Sequence, residues 1–95
     1  MNHVALTAVI VEAKPMRFTP AGLPAIDLRL ESESEVEEVG QKRKVQVAIR
    51  AVALGSTAER LAKQALGSVW KFSGFLATPR NVKTVVFHIQ EFQQD

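Results

Sequence analysis

Apolar positions recur along this chain with a period of two over most of its length and with a helical period only once. From Val4 to Val11 nearly every residue is apolar or small and several are β-branched, the mark of a strand buried on both faces or paired at an interface. Residues 13–18 read as a loop and Thr19-Pro20-Ala21-Gly22 as a turn, with proline setting φ and glycine free to take it positive. A second strand places Ile26, Leu28 and Leu30 on one face and Asp27, Arg29 and Glu31 on the other. An acidic loop ending at Gly40 leads to a third strand, with Val45, Val47 and Ile49 opposed to Lys44, Gln46, Ala48 and Arg50.

The helical stretch runs from about Thr57 to Leu66. Ser56 and Glu59 have capping-box spacing, Ala58, Leu61, Ala62, Ala65 and Leu66 form one stripe, and Gly67 follows where a helix-terminating glycine belongs. A fourth strand sets Trp70, Phe72 and Leu76 on one face with Gly74 as a bend or bulge, and a fifth turns Val85, Phe87 and Ile89 inward. The order β-β-β-α-β-β, without repeats or a long linker, predicts an all-β fold with one helix. It is the order of a five-stranded Greek-key barrel of the OB type, formed as a single domain over residues 1–95. Such barrels bind oligonucleotides or oligosaccharides on the face of their second and third strands.

Size sharpens this picture. A domain of 95 residues buries roughly 60 to 65% of its surface on folding, so a second copy is a natural source of further core. With no cysteine, disulfides, zinc knuckles and thiol catalysis are excluded, and the cytoplasm is the expected compartment. The N-terminal residues lack a basic region, and the apolar run after them is interrupted by Thr7 and stopped by Glu12. It is too short for a signal or membrane segment.

Catalytic chemistry is not legible. No nucleophile stands beside a base and no Gly-rich phosphate loop occurs; His3 and His88, without further ligands at workable spacing, read as surface or structural residues. A non-enzymatic protein without metal or cofactor is expected. The glutamates alternate with serine and valine, which reads as a solvated loop that contacts a basic partner or repels DNA from one edge.

Charge is unevenly distributed. The formal net charge is +2, yet five of the ten acidic residues fall at Glu31, Glu33, Glu35, Glu37 and Glu38; the remainder, with twelve basic and five acidic residues, stands at +7. That polarity suits an anionic partner. The candidate nucleic-acid-binding residues are Lys14 and Arg17 in the first loop, Arg29 on the second strand, Lys42, Arg43, Lys44 and Arg50 around the third, and Arg80 and Lys83 in the last turn. On an OB barrel these regions meet on one side. Stacking platforms are scarce: Trp70, Phe72 and Phe87 have core parity, which leaves Phe18 beside Arg17, and Phe75.

Three segments carry a wider likeness. Thr19-Pro20-Ala21-Gly22-Leu23-Pro24 leads into Leu28-Arg29-Leu30-Glu31, Leu66-Gly67-Ser68-Val69 leads into Gly74-Phe75-Leu76, and Phe87-His88-Ile89-Gln90 follows. In this order and spacing the chain resembles, over nearly its whole length, the PriB family of primosomal replication proteins, relatives of bacterial single-stranded DNA-binding proteins. The resemblance implies a homodimer of OB-folds that binds single-stranded DNA without sequence preference. It also implies cooperation with a PriA-type helicase and other primosome proteins in replication restart. Arg17, Arg43, Arg80 and Lys83 fall at or near positions where the family places basic contacts. Where the family can offer aromatics around the third strand, Gln41 to Gln46 has none, which leaves binding to electrostatics. An alternative role is that of an interaction adaptor that stimulates a helicase, with weak DNA affinity of its own.

Overall fold

Alternating strands close on one another in the computed structural model, which describes residues 1–94. The elements are β1 (Val4–Ala13), β2 (Arg17–Phe18), β3 (Pro24–Glu38), β4 (Gln41–Leu54), α1 (Ser56–Ala62), β5 (Val69–Ala77) and β6 (Val86–Gln93). The sheet runs β1-β5-β6-β4-β3-β2, and a β1–β3 pairing closes five of the strands into a ring. β4 and β6 are parallel and all other neighbours antiparallel. This is the OB barrel with one helix that the residue pattern predicts. The two-residue β2 extends β1's side of β3, pairing at Pro24 and Ala25 while β1 pairs from Leu28 to Glu31.

Alternation decides what the barrel encloses. Ile10, Leu30, Phe72 and Phe87 point inward from four strands and are fully buried, with Leu61 of α1 closing one end beside Ala58. Ile26, Leu28 and Leu30 are buried as their parity requires, while Asp27, Arg29 and Glu31 lie on the outer side. β1 turns Ala8 and Ile10 inward, and Val9 and Val11 stay on the open outer face.

Three expectations are corrected. The acidic segment is not a loop. β3 and β4 stay paired from Arg29↔Arg50 out to Glu38↔Gln41, forming a two-stranded arm beyond the barrel. Seven residues past Glu31 project by about 23 Å at the usual strand rise, and the molecule measures 49 × 30 × 21 Å. Val39 and Gly40, at φ 52° and 74°, close the arm in the two-residue turn that matches strand twist. Glu-Ser-Glu-Ser-Glu is therefore a period-two strand with polar residues on both faces. Val45 and Val47 keep inward parity but lie past the barrel's end, where no core reaches them, and Val47 remains 45% exposed.

The helix is the second correction. It ends at Ala62 rather than Leu66, and Ala62, Ala65 and Leu66 are exposed. Gly55 is its N-cap and no side chain caps it, so Ser56 and Glu59 form no capping box. The cause is tertiary: the Gly55 N–H donates to the Pro24 carbonyl at 2.8 Å, placing the chain turn one residue before Ser56. At the other end Gly67, at φ 86°, donates to the Ile10 carbonyl at 2.8 Å, which draws residues 63–67 toward β1 instead of letting the helix continue.

β6 brings the third. Val85 precedes the strand and is exposed, whereas Phe87 and Ile89 are buried as expected. The register then shifts, with Ser73 facing Glu91 and Gly74 facing Ile89, so that Gln90 is an extra residue and Phe92 also turns inward. Gly74 is required there, since a Cβ would collide with the His88 carbonyl. Phe92 packs edge-on to Trp70 at 5.1 Å and under the Arg60 guanidinium at 4.6 Å, a core position hidden by the bulge.

Candidate nucleic-acid interface

The outward residues of β3, β4 and β6 line a groove across the barrel wall. Asp27 faces Val52, which in turn faces His88, and Arg29 faces Arg50 one step along. The groove has a volume of about 440 Å³. Lys14 and Arg17 close one side; the Lys14 N–H donates to the Asp27 carbonyl at 3.0 Å, and β2 sets Arg17 opposite Ala25. Val52, Leu54, Pro79, Val86 and His88 form an apolar side, where His88 stacks on Phe75 with ring centres 4.8 Å apart.

Its charges are of two kinds. Arg17 grips Asp27 with one edge of its guanidinium: Nε donates to Oδ2 at 2.6 Å and Nη2 to Oδ1 at 3.1 Å. This hydrogen bonding holds the Asp27 carboxyl below its ordinary value against the opposing effect of partial burial, helped by the charges of Arg17, Lys14 and Arg50. Arg17 is raised in turn by the same bond. Arg29 and Arg50 are different. They oppose each other directly across the ladder, and among the described residues neither has a carboxylate within 4.0 Å. Like charges placed directly opposite destabilise a sheet, and an anion between them removes that penalty.

Four of the candidate residues, Lys14, Arg17, Arg29 and Arg50, thus meet in one groove. The others do not join them. Phe18 follows Arg17 in a strand and so points to the opposite face, where it is 69% exposed. Lys42, Arg43 and Lys44 lie on the arm, and consecutive strand residues cannot share a face. Lys42 and Lys44 sit near Glu35 and Glu33 at 4.0 and 3.9 Å, while Arg43 bonds Glu38 at 2.7 Å on the other side. Arg80 and Lys83 are exposed in the β5–β6 connection, which reaches the groove only through Pro79.

Glu12, which faces Arg29 across the β1–β3 ladder, is a groove residue not singled out from the sequence, and so are Asp27 and His88 on β3 and β6. Their outward parity, opposite to Ile26 and Leu28 and to Phe87 and Ile89, was the available signal. A second hollow, of about 590 Å³, opens at the fork where the arm leaves β1 and is lined by Val9, Val11, Glu31, Glu33 and Val47 among others. Its carboxylates make it a poor seat for phosphate. Among the described residues no three His, Asp or Glu side chains gather as a metal site would require, and no helix is long and apolar enough to cross a membrane.

An OB barrel with a groove that is cationic on one side and apolar on the other, over the usual ligand strands, has the form of an oligomer-binding domain. A family model described as another single-strand binding protein family matches residues 2–91. The replication restart protein PriB of Bordetella pertussis is 47% identical over 92 residues, covering 96% of this chain and 86% of that protein. The solved structure of PriB from Ralstonia solanacearum gives a TM-score of 0.91 at 36% identity, over 99% of this chain and 97% of that one. The single-stranded DNA binding protein from Thermus aquaticus gives 0.77 at 26% identity, over 98% of this chain and 49% of the other. The chain belongs to this single-strand binding family and, within it, to the PriB proteins.

Proposed function

We propose that this protein is a sequence-tolerant single-stranded DNA-binding accessory of replication restart, a binder rather than an enzyme, and that the strand lies in the groove over β3, β4 and β6. The observation that carries this reading is the Arg29–Arg50 pair, two cations in register beneath an open groove, neither, among the described residues, with a carboxylate within 4.0 Å although Glu12 faces Arg29 across the β1–β3 ladder. Phosphates bridge the arginines and bases rest against Val52, Leu54 and His88. The arm's Lys42, Arg43 and Lys44, held near glutamates, and the flanking Arg80 and Lys83 contribute weaker, longer-range attraction.

The same reading assigns a cytoplasmic homodimer that works with a PriA-type helicase and other primosome proteins. The outer face of β1 with Val9 and Val11, next to an exposed Val69 on β5, supplies apolar surface for a second copy. A helicase-stimulating adaptor role is the second reading. It is favoured by the arm, whose four glutamates outnumber its three cations.

The test is fluorescence anisotropy on an oligo-dT strand across a salt series. Lys14, Arg29 and Arg50 are the groove cations whose side chains are not hydrogen-bonded to Asp27, and three neutralised phosphates correspond to a log–log slope of about −2, at about −0.7 each. A slope near zero contradicts the groove as the site.

A further inference from the structure

Of the groove's two carboxylates, Glu12 and Asp27, only Asp27 is hydrogen-bonded to a cation among the described residues. Asp27 lies on the floor between Lys14, Arg17 and Arg50, with both carboxylate oxygens engaged by Arg17 at 2.6 and 3.1 Å. That bidentate arrangement is the one a guanidinium makes with a phosphate. Arg17 cannot present the same edge to both. Geometry places the carboxylate where an incoming phosphate would have to compete for the guanidinium, and the neighbouring cations keep it charged.

We infer that Asp27 is a resident counter-anion that occupies Arg17 in the free protein and so sets the affinity of the groove for single-stranded DNA. The inference rests on the groove being the DNA site. Three cations, Lys14, Arg29 and Arg50, engage phosphate without breaking a side-chain hydrogen bond, whereas Arg17 offers its bidentate Nε–Nη2 edge only when its bond to Asp27 is exchanged for one to the strand. The pair is partly exposed, with side-chain exposures of 52% for Arg17 and 35% for Asp27, so the exchange is within reach of a ligand arriving from solvent.

The experiment is a double-mutant cycle read by anisotropy on oligo-dT over a salt series, using the full chain and Asp27→Asn, Arg17→Ala and the double variant. Asp27→Asn keeps the side-chain volume; Asp27→Ser is a second variant, and thermal melts establish that each is folded. Asp27→Asn is expected to bind about fivefold more tightly, the factor that about 1 kcal/mol represents for an exposed charge pair. Its salt slope is expected to steepen by about 0.7, one further phosphate. Arg17→Ala is expected to lose more affinity in the Asp27→Asn background than in the wild-type one, because only there is Arg17 free to bind.

Unchanged or weaker binding by both position-27 variants overturns the inference, as does an equal effect of Arg17→Ala in both backgrounds, which would reduce Asp27 to simple charge repulsion. Failure of the wild-type protein to bind oligo-dT at low salt overturns the groove reading itself and is recognised before the variants are compared.

Discussion

The groove and the arm are built from the same two strands, yet they differ in what lies beneath them. Along residues 25–31 of β3 one face is pinned by the core, so the opposite face must present Asp27 and Arg29 outward in a fixed register with Val52 and Arg50. Past Ser32 the core ends, both faces meet solvent, and charge pairs across the ladder take over. Exposed pairs of this kind contribute about 0 to 1 kcal/mol each. Buried parity aims the groove's cations; local pairing consumes the arm's. The density of basic residues along the sequence is therefore a poor guide to where an anion binds. Lys42-Arg43-Lys44 is the densest basic run in the chain, and it lies outside the groove.

This contrast is broken most severely in the core. Phe72→Ala empties a fully buried position under the barrel wall and is expected to cost about 3 to 5 kcal/mol of stability, whereas Val47→Ala on the arm is expected to change it by less than about 0.5 kcal/mol. Urea melts of the two variants check this. Equal losses would mean that the arm shares the barrel's core.

A smaller effect is expected from acid. Asp27 has a depressed carboxyl pKa in the folded protein, so its contribution is complete above the ordinary value of 3.8. It is lost as pH falls through the lower folded value. The wild-type advantage over Asp27→Asn in urea midpoint should therefore shrink as pH is lowered through and below 3.8, by an amount under about 1 kcal/mol given the exposure of the pair. An advantage that grew on acidification would contradict the assignment.

Much of this was legible in the residues. The strand order and the outward faces of β3 and β4, with Arg29 and Arg50, follow from period-two alternation beside an apolar set, whereas Lys14 and Arg17 were read as basic residues of the first loop. What failed did so for physical reasons. A strand with polar residues on both faces has no amphipathic signature, and so the arm read as a loop. The helix boundary depended on bonds from Gly55 to Pro24 and from Gly67 to Ile10, partners distant in sequence. The bulge at Gln90 changed the parity of Phe92. His88, read as a surface or structural residue, lines the groove wall because its neighbours Phe87 and Ile89 point inward.

The central claim is that the barrel groove, not the basic run on the arm, holds the strand. It is tested most directly by comparing oligo-dT affinity of Arg29→Ala/Arg50→Ala with that of Lys42→Ala/Arg43→Ala/Lys44→Ala at about 0.15 M salt, where charges beyond about 8 Å are largely screened. The groove variant should lose at least about tenfold per arginine, the factor corresponding to 1.4 kcal/mol, and the arm variant less than about threefold in all. A larger loss in the arm variant than in the groove variant would contradict the account.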